Sequence, residues 1–153
     1  MLNTLRSLFV DHFPPTRALP DVGHDEVAIA AACLMITVAR QDDGYEADER
    51  GRITHLIGQH FGLQPWSAQS LVARAEAVVD ESVAEQPFTL IVKEHMGHDE
   101  RIELIEMLWR VAYADGDLHD NESNLMRRVT ALLYVTDRES GDARKRVLAS
   151  LQG

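Results

Sequence analysis

Cysteine is almost absent. Cys33 stands alone among 153 residues, so no disulfide can close within the chain, and a reducing compartment is expected. It lies inside the apolar run Val27 to Ala39, where a lone thiol reads as a small hydrophobe. Positive charge is also scarce: 15 basic against 25 acidic residues leave a net charge of -10. That balance disfavours the phosphate-neutralising surface needed for nucleic acid, and points instead to cations or basic protein surfaces. Arg138, Arg144, Lys145 and Arg146 form the densest basic cluster. Long apolar runs are missing too. The stretch 27–39 is too short to span a bilayer and reads as a buried core helix, so no membrane insertion is expected. Met1 to Phe13 carries neither a basic leader nor a continuous apolar stretch, so no signal peptide is expected and the assigned location is cytoplasmic. Alternating apolar and polar runs bounded by turns are missing, which excludes strands. No nucleophile elbow, phosphate-binding loop, dinucleotide fingerprint or kinase motif occurs, and enzymatic activity has no support in the sequence.

What the chain does contain is helical periodicity. Its length suits one domain, without low-complexity tracts. Leu2, Leu5, Leu8 and Phe9 follow helical spacing, and Pro14-Pro15 ends that segment, giving an N-terminal helix and linker over 1–23 ahead of a helical domain over 24–153. Asp25 to Arg40 is apolar at nearly every position, which marks a helix surrounded by others. A second helix is expected over Asp48 to Phe61, closed by a left-handed cap at Gly62, and a third from Pro65, ending before Pro87. Phe88 to His95 gives a short helix stopped by Gly97. A second central helix follows over Ile102 to Tyr113, opened by Asp99, with Glu103, Glu106 and Arg110 as its polar stripe. Leu125 to Leu133 and a last helix capped by Thr136 or Asp137 complete an all-α bundle of about seven helices.

The chain also matches itself. Sliding it by 73 positions (115 minus 42) superposes Val38-Ala39 on Val111-Ala112, Asp42 on Asp115 and Glu49 on Glu122. The run of apolar, turn and acidic classes in one ungapped register predicts an internal pseudo-twofold repeat of helix-turn-helix units. Packed about such an axis, Asp42, Glu46, Asp48 and Glu49 would face Asp115, Asp117, Asp120 and Glu122. Carboxylates held that close repel unless they retain protons or share a cation. Their oxygens suit calcium, magnesium or manganese. The alternative is that these carboxylates only cap free helix amides and complement the helix dipole, at roughly 0.3–1 kcal/mol each. They are not EF-hand loops, whose ligand spacing around the glycine is absent.

Residues 38 to 50 (Val-Ala-Arg-Gln-Asp-Asp-Gly-Tyr-Glu-Ala-Asp-Glu-Arg) and 111 to 122 (Val-Ala-Tyr-Ala-Asp-Gly-Asp-Leu-His-Asp-Asn-Glu) resemble the two acidic motifs of the tellurite-resistance TerB-like family. So does the intervening stretch 100 to 112, and the resemblance runs over roughly 24 to 150. It implies an all-helical bundle with an internal repeat, acidic residues proposed to bind metal, and a bacterial cytoplasmic role in tellurite resistance and stress responses. Carried over residue by residue, the motif aspartates are Asp42 and Asp115 and the glutamates Glu49 and Glu122. In the first motif Asp43 replaces the glycine, which appears one place later at Gly44. In the second, His119 stands where Glu46 stands in the first. A ligating histidine there would tilt the site towards zinc or manganese, whereas a solvated surface histidine is the simpler account. The candidate metal ligands are therefore Asp42, Glu46, Glu49, Asp115, Asp117, His119 and Glu122.

Other residues carry less. His95 and His98 are three apart, but Gly97 between them argues for a helix end rather than a zinc pair. His55 and His60 point to different sides of a helix. Trp66 is expected to close the core, with an exposed anchor for a partner as the alternative. Three functions follow: a non-enzymatic stress-associated protein that binds a divalent cation and relays its occupancy; a helical interaction module, binding a protein partner or a second copy, whose acidic turns are only caps; and a metal-dependent hydrolase.

Overall fold

The computed structural model describes residues 22–42, 45–82, 86–114 and 120–152. Among them are seven α-helices and one short 3-10 turn: α1 (Val22–Ala39), η1 (Arg40–Asp42), α2 (Ala47–Phe61), α3 (Pro65–Glu81), α4 (Gln86–His95), α5 (His98–Ala112), α6 (Asp120–Leu132) and α7 (Asp137–Gln152). No strand occurs among the described residues. The N-terminal helix expected from Leu2, Leu5, Leu8 and Phe9 lies outside them.

The apolar run around Cys33 becomes the centre of the molecule. From Val27 to Ala39 every side chain except Thr37 is buried, and Thr37 turns its hydroxyl back onto the Cys33 carbonyl at 2.7 Å. A helix without a polar face needs neighbours all round. α1 finds them in α2, α3, α4 and α5, with a lighter contact to α6. The second central helix, α5, buries Leu104, Ile105, Leu108 and Trp109 against the rest and leans on α7. Its polar stripe is used for docking: Glu106 binds Arg146 of α7 at 2.5 Å. Burial pushes the Cys33 thiol well above its ordinary range, as expected for a thiol that behaves as a hydrophobe.

Helix pairing can be traced through named contacts. Cys33 Sγ reaches the Ala75 carbonyl at 3.6 Å, and Arg40 donates to Asp80 at 2.7 Å, so α1 and α3 run side by side in the same direction. α5 and α7 do likewise through His98 with Glu139, and Arg110 with Ser150. In both cases the intervening helix returns antiparallel through a short connection.

The helix ends obey local chemistry. Gly62 has φ 66° and ψ 39°, the left-handed cap anticipated from its place after Phe61, and the Leu63 amide closes the turn on the Gly58 carbonyl at 2.9 Å. Thr136 is the residue that caps α7. Its hydroxyl accepts the Glu139 amide at 3.1 Å, while Glu139 accepts the Thr136 amide at 2.9 Å. Several helices start earlier than expected: α1 at Val22 rather than Asp25, α4 at Gln86 rather than Phe88, α6 at Asp120 rather than Leu125, and α5 at His98, four residues before Ile102. Gly97, foreseen only as a stop, is extended at φ -69° and ψ 170° and opens the next helix as its N-cap.

Candidate functional site

The first acidic turn connects α1 to α2. Asp42 ends η1, and its side chain lies outside the described ones. Glu46 is the N-cap of α2, in extended backbone, and Asp48 and Glu49 occupy the helix's first turn. The Glu49 carboxylate accepts the Glu46 amide at 3.0 Å, and the Arg50 amide closes on the Glu46 carbonyl at 3.0 Å. One Glu49 oxygen therefore serves as a helix cap, the role weighed against metal binding.

The turn is braced from outside by residues that sequence reasoning did not single out. Tyr45, just before the cap, donates its hydroxyl to Glu76 Oε2 at 2.5 Å, and Arg50, just after Glu49, presents Nε to both Glu76 oxygens at 3.1 Å. One carboxylate on α3 thus holds both flanks of Glu46–Glu49. Arg40, which pairs with Asp80, also lies over the Tyr45 ring, 5.1 Å from its centroid. Burial first, and then the hydrogen bond to Glu76, push the Tyr45 phenol well above its ordinary range. No local pattern announces Glu76, because it lies 31 residues from Tyr45.

Asp115, Asp117 and His119 lie outside the described residues, and Glu122 sits in the first turn of α6 with its side chain outside the described ones. What can be placed is the chain around them: η1, which ends in Asp42, packs directly against α6, the helix that Asp120 opens. Among the described residues, no group of three or more His, Cys, Asp or Glu side chains is arranged to hold a metal.

The remaining sequence candidates resolve into local roles. His95 Nδ1 lies 3.0 Å from the Ile91 carbonyl, whereas His98 Nε2 lies 2.6 Å from Glu139, so the two rings serve different helix ends. The Thr136 amide, followed by His98, draws the Glu139 carboxyl down to about 2. His60 faces Glu103 at 3.6 Å and meets Phe61 edge-on, while His55 is exposed. Two members of the basic cluster are occupied: Arg144 donates to Tyr113 at 2.6 Å and lies over Trp109, and Arg146 binds Glu106. Trp66 does not close the core. It is 72% exposed, because the second residue of α3 lies at the helix's open end while Ala68, Leu71 and Val72 take the inward positions.

Among the described residues no helix is long and apolar enough to cross a membrane. Comparison with curated proteins and with solved structures gives no match. The family model for tellurite resistance protein TerB matches residues 28–145, from the start of the buried part of α1 into α7. That span covers far more than half of the chain and takes in both acidic turns and every helix that carries them, so the protein belongs to the TerB tellurite-resistance family.

Proposed function

We propose that this TerB-family protein is a non-enzymatic cytoplasmic component of tellurite or stress resistance that binds a divalent cation. The ligands would come from Asp42, Glu46, Glu49, Asp115, Asp117, His119 and Glu122. The observation that supports it is the packing of η1 against α6, which brings the chain that ends in Asp42 beside the helix that follows the second turn. Carboxylates of like charge brought together favour a shared cation, and an all-oxygen set favours calcium, magnesium or manganese over zinc. His119 would shift that preference towards zinc or manganese if it ligates. The Glu76 brace would hold Glu46–Glu49 in place, and through it cation occupancy would reach α3 and a protein partner bound there.

A second reading is favoured by one contact. The Glu49 oxygen that accepts the Glu46 amide is what a purely structural cap requires, and under that reading the surface acts as an interaction module.

Calorimetry with calcium, magnesium, manganese and zinc separates the two, comparing the wild type with Asp42→Ala/Asp115→Ala. Saturable heat in the wild type that the double substitution abolishes is the expected outcome. Equal heats without saturation in both proteins would leave only the capping role.

A further inference from the structure

The outward face of α3 carries a feature that the acidic turns do not use. α3 packs mainly against α1 and α2, burying Ala68, Leu71, Val72, Ala75 and Val78. At about 100° per residue, Trp66, Ser70, Ala73 and Ala77 fall in a stripe about 60° wide on the opposite side of the helix. Trp66 is 72% exposed, Ser70 and Ala73 are exposed, and Ala77 is half-buried. In a chain of net charge -10, this stripe sets a large aromatic at one end and small uncharged side chains along the rest.

We infer that α3 pairs with α3 of a second copy, antiparallel about a twofold axis level with Leu71 and Val72. The stripe is its own complement. A twofold contact requires that whenever one residue meets another, the second meets the first in return. Trp66 and Ala77 are equally far from that midpoint, and so are Ser70 and Ala73. Each indole therefore seats on the other copy's Ala77. Ser70 against Ala73 at the crossing lets the helices approach to the short end of the usual range of about 8–10 Å. Tryptophan is among the side chains most enriched at binding hot spots, and small residues opposite supply the hole it fills.

Charge agrees with the direction. The first turn of α3 holds no acidic residue and its N-cap, Gln64, makes no side-chain cap, whereas the last turn carries Asp80 and Glu81. The antiparallel register lays each acidic end beside the other copy's α3 N-terminus, where open amides and the helix dipole favour negative charge. It also sets Arg74 opposite Gln69 and Glu76 opposite Ser67, so no charge on α3 meets its like. A parallel pairing would set indole on indole and bring the two acidic ends together. One helix pair lies at the small end of specific interfaces, below about 1,200 Å², so the dimer is reversible. The contact uses no residue of the acidic turns and stands apart from the cation reading.

Light scattering of the full chain, from micromolar to millimolar concentration, tests the inference. The mass is expected to rise from one chain towards two. Trp66→Ser and Ala73→Glu, both at exposed positions, should each weaken the association at least tenfold while the helical circular dichroism is kept. The register is read by cross-linking, since Cys33 is buried and takes no part. Under mild oxidation, a mixture of Ser70→Cys and Ala73→Cys proteins should give more disulfide-linked dimer than either protein alone. A single-chain mass at every concentration overturns the proposal, as does a dimer that both substitutions leave unchanged. Faster cross-linking of each cysteine variant with itself than with the other also overturns it, by showing a parallel pair.

Discussion

Glu76 carries more of the first acidic turn than its position on α3 would suggest, and removing it has a calculable consequence. Its carboxylate accepts the Tyr45 hydroxyl at 2.5 Å and faces Arg50 Nε at 3.1 Å. The Arg50 pair is partly open to solvent, with side-chain exposures of 44% and 21%, so it is worth only about 0.2–1 kcal/mol. A hydrogen bond to a charged acceptor contributes about 1.5–3 kcal/mol when enclosed, and the half-buried Tyr45 contact belongs at or below the lower end of that range. Glu76→Ala should therefore cost about 2 kcal/mol. At roughly 2–4 °C per kcal/mol for a chain of this size, the melting temperature falls by about 4–8 °C. A double-mutant cycle of Tyr45→Phe and Glu76→Ala, followed by urea unfolding, isolates the hydrogen bond from the ion pair, because Tyr45→Phe leaves Arg50 untouched. A coupling of about 1 kcal/mol is expected. Additivity to within about 0.3–0.5 kcal/mol would show that the two groups do not interact, and the account of a turn held from α3 would fail.

Two further outcomes follow from the helix ends. Gly62→Ala forces a Cβ into the left-handed region at φ 66° and should lower stability by about 1–2 kcal/mol in urea unfolding, although nothing crowds the position; an unchanged midpoint would contradict the cap assignment. The Glu139 carboxyl is drawn down to about 2 by the Thr136 amide and by His98, so its ionised form stabilises the fold at pH above its ordinary value of 4.5 and that contribution is lost as pH falls towards about 2. The melting-temperature gap between wild type and Glu139→Gln should be widest above pH 4.5 and shrink on acidification. A gap that stays constant across that window would refute the linkage.

The central helices were legible from local pattern because burial leaves a strong mark on composition. Only a helix enclosed on every side can hold the unbroken apolar run from Val27 to Ile36, and the polar stripe Glu103, Glu106 and Arg110 likewise identified the side of α5 left free of the core. Gly62, and Thr136 as one of two candidates beside Asp137, were readable for the same reason, since a cap is settled by residues within a few positions. Trp66 was misjudged because hydrophobicity gives a preference for burial but not the direction of a side chain at a helix end.

By itself, then, the sequence determined the helical class, the family and the chemical type of the candidate ligands, all of which depend on residue identity and short-range spacing. Only the tertiary structure decided what meets what. It set η1 against α6, brought Glu76 to Tyr45 across 31 residues, and turned His98 away from His95 towards Glu139. Such contacts depend on how helices pack, and helix packing is a property of whole surfaces that no single motif encodes.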